Sequence, residues 1–291
     1  DDKIWILGGM SNLNLLVSDG KKRYVVKVPA LQLEYDENPY DMQWMIQGIV
    51  YRYNLSSRPV AKGMLGNELP FLVTEYEKGV TKTNPHSFQD DELVRIRNAQ
   101  CRFSRIRLPV PCYDHPRTYL SVNQKQLEQV SNNDESHSML LADFLDNMRD
   151  FGSELEEKMV GLPFWQSDTV HGDFRPSNVV LKAHSILLID FENTFTGSSF
   201  YDSAYFFVEP KGDYKIPIDN PLVKTRENQE MILKLVPLAL FSCLTWTLTR
   251  LLHLDMGIVE DNLANSDTRA RLTEYFRQKS VQLADILGIP I

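Results

Sequence analysis

His171-Gly172-Asp173-Phe174-Arg175-Pro176-Ser177-Asn178 is followed by the apolar run Ile186-Leu187-Leu188-Ile189 and then by Asp190-Phe191-Glu192. Two carboxylates, an amide and a guanidinium so placed could carry out phosphoryl transfer. That reaction asks little covalent work of a protein; catalysis rests on positioning and on neutralising charge that spreads over the phosphoryl oxygens. Mg2+ is a hard ion that keeps several waters and takes one or two side-chain oxygens beside phosphate oxygens, which suits Asn178 and Asp190 as its ligands. Asp173 is then left free to accept the proton of an attacking hydroxyl, and Arg175 is placed to offset transition-state charge. His171 could be a base, but hydrogen bonding and packing that support the loop are the favoured role.

The elements around these residues must bring them together. Residues 179–181 and 186–189 are short apolar runs separated by Lys182-Ala183-His184-Ser185, the pattern of a buried hairpin. A hairpin would set Asn178, before its first strand, beside Asp190, after its second. Upstream, strands are expected over 4–7, 13–17 and 23–28, with a turn at Ser18-Asp19-Gly20-Lys21. Alternation in the third strand puts Val25 and Lys27 on one face. If that face looks into a nucleotide cleft, Val25 covers the adenine and Lys27 reaches the phosphates. The turn over 8–12, with Ser11 and Asn12, would offer backbone N–H groups to those phosphates. A helix is expected over 41–53, a hairpin over 61–65 and 71–75, and then a connector, Glu75-Tyr76-Glu77-Lys78-Gly79, whose backbone could bond adenine. Long helices are expected over 88–107, 139–160, 230–253 and 267–287. Strands first and helices later give an α+β, two-lobed architecture: a nucleotide-binding lobe over 1–77 and a larger, mainly helical catalytic lobe over 78–291, with the active site between them.

Composition narrows the classes. The 291-residue chain is 43% hydrophobic, enough to fill a core of that size, and its formal charge of -8 provides no basic field for a nucleic-acid backbone. Arg95, Arg97, Arg102, Arg105 and Arg107 alternate with apolar residues and read as a solvated helix face. Three cysteines without a Cys-x-x-Cys spacing indicate neither a disulfide framework nor a zinc site, and a reducing cytosol is the expected compartment. The run 235–249 is uncharged but contains Pro237 and falls short of the ~20 apolar residues of a membrane span, so it is expected to be a core helix.

Together these residues resemble the aminoglycoside phosphotransferase and choline kinase superfamily, which has the protein-kinase-like fold. The Asp-x-x-x-x-Asn spacing from Asp173 to Asn178 is that of the kinase catalytic loop. The resemblance implies Asp173 as catalytic base, Asn178 and Asp190 as Mg2+ ligands and Lys27 as an ATP contact. The choline/ethanolamine kinase branch is the most similar, through Asp190-Phe191-Glu192, Gly197, Tyr201-Asp202, Phe206-Phe207 and Glu209. It implies a cationic-amine pocket with Glu192, Glu209, Tyr214 and Trp246, since aromatic faces attract an ammonium. Tyr201-Asp202 would brace the catalytic loop. Asn193 and Thr249 stand where that branch carries aromatic residues, and the helix over 41–53 offers Asp41, Gln43 and Gln47 where the fold usually has a glutamate for the lysine. The expected activity is ATP- and Mg2+-dependent phosphorylation of a small amino alcohol. Aminoglycoside or sugar phosphorylation and a nucleotide-binding pseudokinase scaffold are the alternatives.

Overall fold

A computed structural model of the chain describes residues 3–8, 12–29, 38–66, 69–131, 139–159, 167–208, 216, 219–258 and 268–289. Five antiparallel strands open it: β1 (Lys3–Gly8), β2 (Asn12–Ser18), β3 (Arg23–Pro29), β4 (Pro59–Leu65) and β5 (Leu69–Glu75), side by side in the order β1-β2-β3-β5-β4. The β2–β3 turn is closed by Asp19, whose Oδ1 accepts the N–H groups of Lys21 at 2.8 Å and Lys22 at 2.6 Å, while Gly20 takes the positive φ the turn needs. Helix α1 (Asp41–Tyr51) lies between β3 and β4 in the chain. It buries Ile46 and Val50 in the core and points Gln43 and Gln47 into the cleft under the sheet.

The remainder is mainly helical. Helices α2 (Asp90–Phe103), α3 (Pro116–Ser131) and α4 (Met139–Met159) precede four short strands, β6 (Asp168–Val170), β7 (Val179–Leu181), β8 (Ile186–Leu188) and β9 (Phe195–Gly197). Helices α5 (Phe200–Val208), α6 (Arg226–Asp255) and α7 (Thr268–Leu287) follow. Helix α2 starts with a capping box, Gln89 and Glu92 each meeting the other's backbone, and its first turn is acidic, which suits the positive end of the helix dipole.

The core is built around α6. From Leu235 to Leu252 every residue but Trp246 is buried, and α3, α4, α5 and α7 surround it. Fully buried leucines and phenylalanines of this kind stabilise a fold by about 1.5–3 kcal/mol each. Among the described residues α6 is the one helix long and apolar enough to cross a membrane, but 78% of that stretch is buried within the fold. It is the core helix expected for 235–249, extended at both ends.

One feature departs from the sequence reading. The arginines of α2 do not form a merely solvated face: Arg95 donates to the carbonyls of Lys182 and Ala183, Arg97 to Pro221, Arg102 to Tyr53 and, just beyond the helix, Arg107 to Ser167. A guanidinium with five N–H donors can satisfy loop carbonyls that have no ladder partner. Lys279 of α7 is 1% exposed, its ammonium donates to the Val208 carbonyl at the end of α5, and it lies 5.4 Å from the Tyr275 ring. A cation on a C-terminal carbonyl complements the helix dipole there.

Candidate active site

The short strands hold two loops face to face. Pairing of β6 with β9 and of β7 with β8 makes 171–178 the loop between β6 and β7, and 189–194 the loop between β8 and β9. The hairpin register Val179↔Leu188 is continued by Ile189, whose N–H donates to the Asn178 carbonyl at 3.1 Å. Asn178 and Asp190 are thereby neighbours across the hairpin mouth, as its ends require. Asp190 has φ +70, a left-handed backbone conformation that Asp and Asn tolerate better than most residues.

The loop carrying Asp173 is fixed from below. Asp202, at the start of α5, accepts the N–H of His171 at 2.9 Å and of Gly172 at 3.0 Å, the brace expected of Tyr201-Asp202. His171 is fully buried, with rings of Phe103, Phe174 and Phe191 about it and its Nε2 3.0 Å from the Ile189 carbonyl. Burial lowers its pKa, so it is a neutral donor that ties the two loops together.

Burial pushes the Asp202 carboxyl up to about 7, against the pull of the His171 and Gly172 N–H groups. A folded-state pKa above the ordinary carboxylate value means that the folded protein holds this proton more tightly. The stability it contributes is fully present below about pH 4 and is lost as pH rises to about 7. Asp202→Asn removes the titration. The stability difference, wild type minus variant, is therefore expected to shrink between pH 4 and 7 by roughly 1.4 kcal/mol per unit of the raised pKa, read from urea unfolding. A pH-independent difference would show that Asp202 titrates alike in both states.

Asp173 is 1% exposed and does not stand free. Arg175 grips its carboxylate through Nε at 2.9 and 3.1 Å and through Nη2 at 2.8 Å, and Asn178 Nδ2 donates to the same Oδ2 at 2.7 Å. A carboxylate this buried keeps partners while no substrate is there to replace them. Because Nδ2 is committed to Asp173, Oδ1 is the Asn178 atom that a cation would meet.

Above these loops lies a cleft of about 580 Å³, a size that suits a nucleotide, lined by both the sheet and the short hairpins. Val25 and Lys27 of β3 line it together, as their shared face requires, and so do Asn12, Asn178, Asp190, Glu75 and Glu77. Lys27 Nζ is 2.5 Å from Asp190 Oδ1, 3.2 Å from Glu192 Oε2 and 3.2 Å from Gln43 Oε1. Burial works against the Lys27 charge, but Asp190 and Glu192 outweigh it and raise its pKa. Burial also pushes Asp190 up, yet Lys27 outweighs it and holds the carboxyl below its ordinary value. Glu192 is raised by burial and by the Asp190 charge.

Several sequence-derived placements change here. Glu192, two residues after the left-handed bend at Asp190, meets Lys27 and Asn12. Asn12 meets the cleft through its side chain, which donates to Glu192 at 3.2 Å. In the connector, the N–H groups of Glu75 and Tyr76 are taken by the carbonyls of Arg58 and Arg23, both at 2.9 Å, and the Glu75 carboxylate pairs with Arg58 and Lys22. The Glu77 N–H makes no backbone hydrogen bond among the described residues. Trp246 is half-buried at the edge of the core, away from the cleft lining. Ser11, Glu209 and Tyr214 lie outside the described residues. The sequence reading left the partner of Lys27 open, with Asp41, Gln43 and Gln47 on the helix; Gln43 is one of its partners, and Glu192 is the charged partner it missed.

The family model described as "phosphotransferase enzyme family" matches residues 6–239, which include most of the sheet, both loops and about half of α6. This chain belongs to that phosphotransferase family. Among solved structures the phosphotransferase is similar in fold to an ethanolamine kinase of Plasmodium vivax, with TM-score 0.72 and 16% identity over 99% of this chain and 82% of that one. It is also similar to a spectinomycin phosphotransferase, with TM-score 0.61 and 10% identity over 99% and 92%. A choline kinase from Streptococcus pneumoniae gives TM-score 0.57 and 16% identity over 96% and 94%. A search of curated proteins finds no match. The fold is the protein-kinase-like one, with the β-sheet in the N-terminal region and the helices after it.

Proposed function

We propose that this phosphotransferase moves the γ-phosphoryl group of ATP to the hydroxyl of a small amino alcohol of the choline or ethanolamine type. The observation that carries the reading is the convergence of Lys27, Asn178 and Asp190 on one cleft whose floor is the Asp173 loop. The segment 1–77 would act as the nucleotide-binding lobe and 78–291 as the catalytic and acceptor-binding lobe. In this reading Val25 covers the adenine, the backbone of Glu75 to Glu77 meets its edge, and the backbone at Ser11 and Asn12 approaches the phosphates. Lys27 binds the α- and β-phosphates. Asp173 orients the acceptor hydroxyl and takes its proton, and Arg175 leaves Asp173 to offset charge on the transferred group.

The donor set fits Mg2+. Asp190 and Asn178, on either side of the hairpin mouth, both line the cleft and offer hard oxygen atoms, and the Lys27 ammonium on Asp190 Oδ1 supports a place that attracts a cation. Bound there, Mg2+ would neutralise phosphate charge. That an ADP complex exists for the similar spectinomycin phosphotransferase supports an adenine nucleotide. An amine acceptor is supported by the likeness to an ethanolamine kinase and by Trp246, the one partly exposed side chain in an otherwise buried run of α6, with Glu209 and Tyr214 the further residues the resemblance implies. A second reading, an aminoglycoside or sugar acceptor, is favoured by Thr245 and Thr249. Both are near Trp246 in the sequence, are buried, and have hydroxyls without a hydrogen-bond partner among the described residues, where the choline/ethanolamine kinase branch has an aromatic at 249.

ADP release with Mg2+ and ATP, measured across amino alcohols, sugars and aminoglycosides with Asp173→Ala as control, tests both. Turnover on an amino alcohol that vanishes in the variant is the expected result. Turnover on aminoglycosides alone would overturn the acceptor. Nucleotide binding with no turnover on any member would leave a pseudokinase.

A further inference from the structure

A nearly buried ammonium needs a full set of oxygen partners and a counter-charge. The helix nearest Lys27 supplies only half of that. Gln43 of α1 offers a neutral oxygen, and the acidic residue of the same helix, Asp41, is turned outward, its side chain 58% exposed and paired with Lys62 of β4. The negative charge comes from the far side of the cleft, from Asp190 and Glu192.

We propose that Glu192 is the positioning residue for Lys27, a carboxylate carried on the β8–β9 loop that does the work of one on α1. The inference rests on the nucleotide reading of the cleft given above. Asp190 is the proposed metal ligand, so its charge is shared; Glu192 is the counter-charge that stays with the lysine. Its carboxylate is itself held in place. Asn12 Nδ2 donates to the same Oε2 that Lys27 meets, and Asn12 Oδ1 accepts the hydroxyl of buried Tyr40 at 2.6 Å. The Tyr40 ring lies 5.8 Å from Nζ. The line Tyr40, Asn12, Glu192, Lys27 thus joins β2, β3 and the start of α1 to the loop that carries Asp190. The lysine is set by the loop across the cleft, and α1 contributes a hydrogen bond rather than a charge.

Calorimetric ADP binding, in EDTA and again with Mg2+, tests this on Glu192→Gln, Gln43→Glu and the double variant. Glu192→Gln is expected to weaken ADP binding by about tenfold in both conditions, the size of one lost charge-assisted hydrogen bond. Moving the carboxylate to α1 in the double variant should restore most of that loss. Asn12→Ala, which leaves the carboxylate in place but unheld, should show a smaller loss of the same sign and covers the case in which Glu192→Gln unfolds. A loss seen only with Mg2+ would make Glu192 a metal ligand and overturn the inference. So would unchanged ADP binding with a raised KM for the acceptor alone, or a double variant no better than the single one. Failure of the wild-type protein to bind ADP would sink the nucleotide reading itself, and is distinguishable from all of these.

Discussion

Asp173→Asn is expected to lower kcat by about three orders of magnitude, in the range of a lost general base, while leaving ADP binding within a few-fold of wild type. The amide keeps the volume of the carboxylate and can still accept the Asn178 hydrogen bond seen at 2.7 Å. It cannot take a proton from the acceptor hydroxyl, and it offers Arg175 no charge. The contrast with Lys27 is the useful part. On the proposed reading Lys27 meets the nucleotide, so its removal should appear chiefly in nucleotide affinity, whereas Asp173 would act on the hydroxyl and should appear in kcat. A kcat within tenfold of wild type would mean that Asp173 only orders its loop, as part of the same network with Arg175 and Asn178.

Gly172→Ala should have the other large effect, on the fold of the site. Gly172 has φ +80, where an L side chain is already strained by roughly 1–2 kcal/mol. Space is worse than strain: a Cβ there would stand 1.9 Å from the Asn193 carbonyl oxygen and 2.8 Å from its carbon. Neither backbone can retreat cheaply. Gly172 is tied to Asp202 at 3.0 Å, and Asn193 closes the loop that carries Asp190. The two loops must part, and with them Asp173 and Asp190. A loss of stability of about 3 kcal/mol or more is expected, with ADP release falling to the level of Asp173→Ala. Urea unfolding and turnover, measured together, check it; an unchanged midpoint would show that the 172–193 contact is loose.

The site was legible where its chemistry is local. Asp173, Asn178 and Asp190 lie on either side of one tight hairpin, so spacing alone brings them together, and the alternation of β3 sufficed to pair Val25 with Lys27. What escaped was non-local. Nothing near Lys27 in the chain points to Glu192, because the contact depends on the left-handed bend at Asp190 and on Asn12 reaching across from β2. The arginines of α2 were misjudged for the same reason, since their carbonyl partners come from distant loops. In the fold, β6 and β9 are three residues each, too short for a period of two to register. Helix α3 buries Leu120 and Leu127 together with polar Asn123, a thin apolar stripe that periodicity does not single out.

Helix α6 and the helix after it bear on where this protein could be cut for expression. The family match ends at residue 239, inside a helix that runs from Arg226 to Asp255. A fragment trimmed to those bounds would end in the middle of the core. It would lose Leu244, Leu248 and Leu252, each wholly buried, and with α7 it would lose Phe276 and the Lys279 ammonium that closes the end of α5. The smallest piece able to keep its hydrophobic centre covered is therefore longer than the family's bounds, and extends through residue 287.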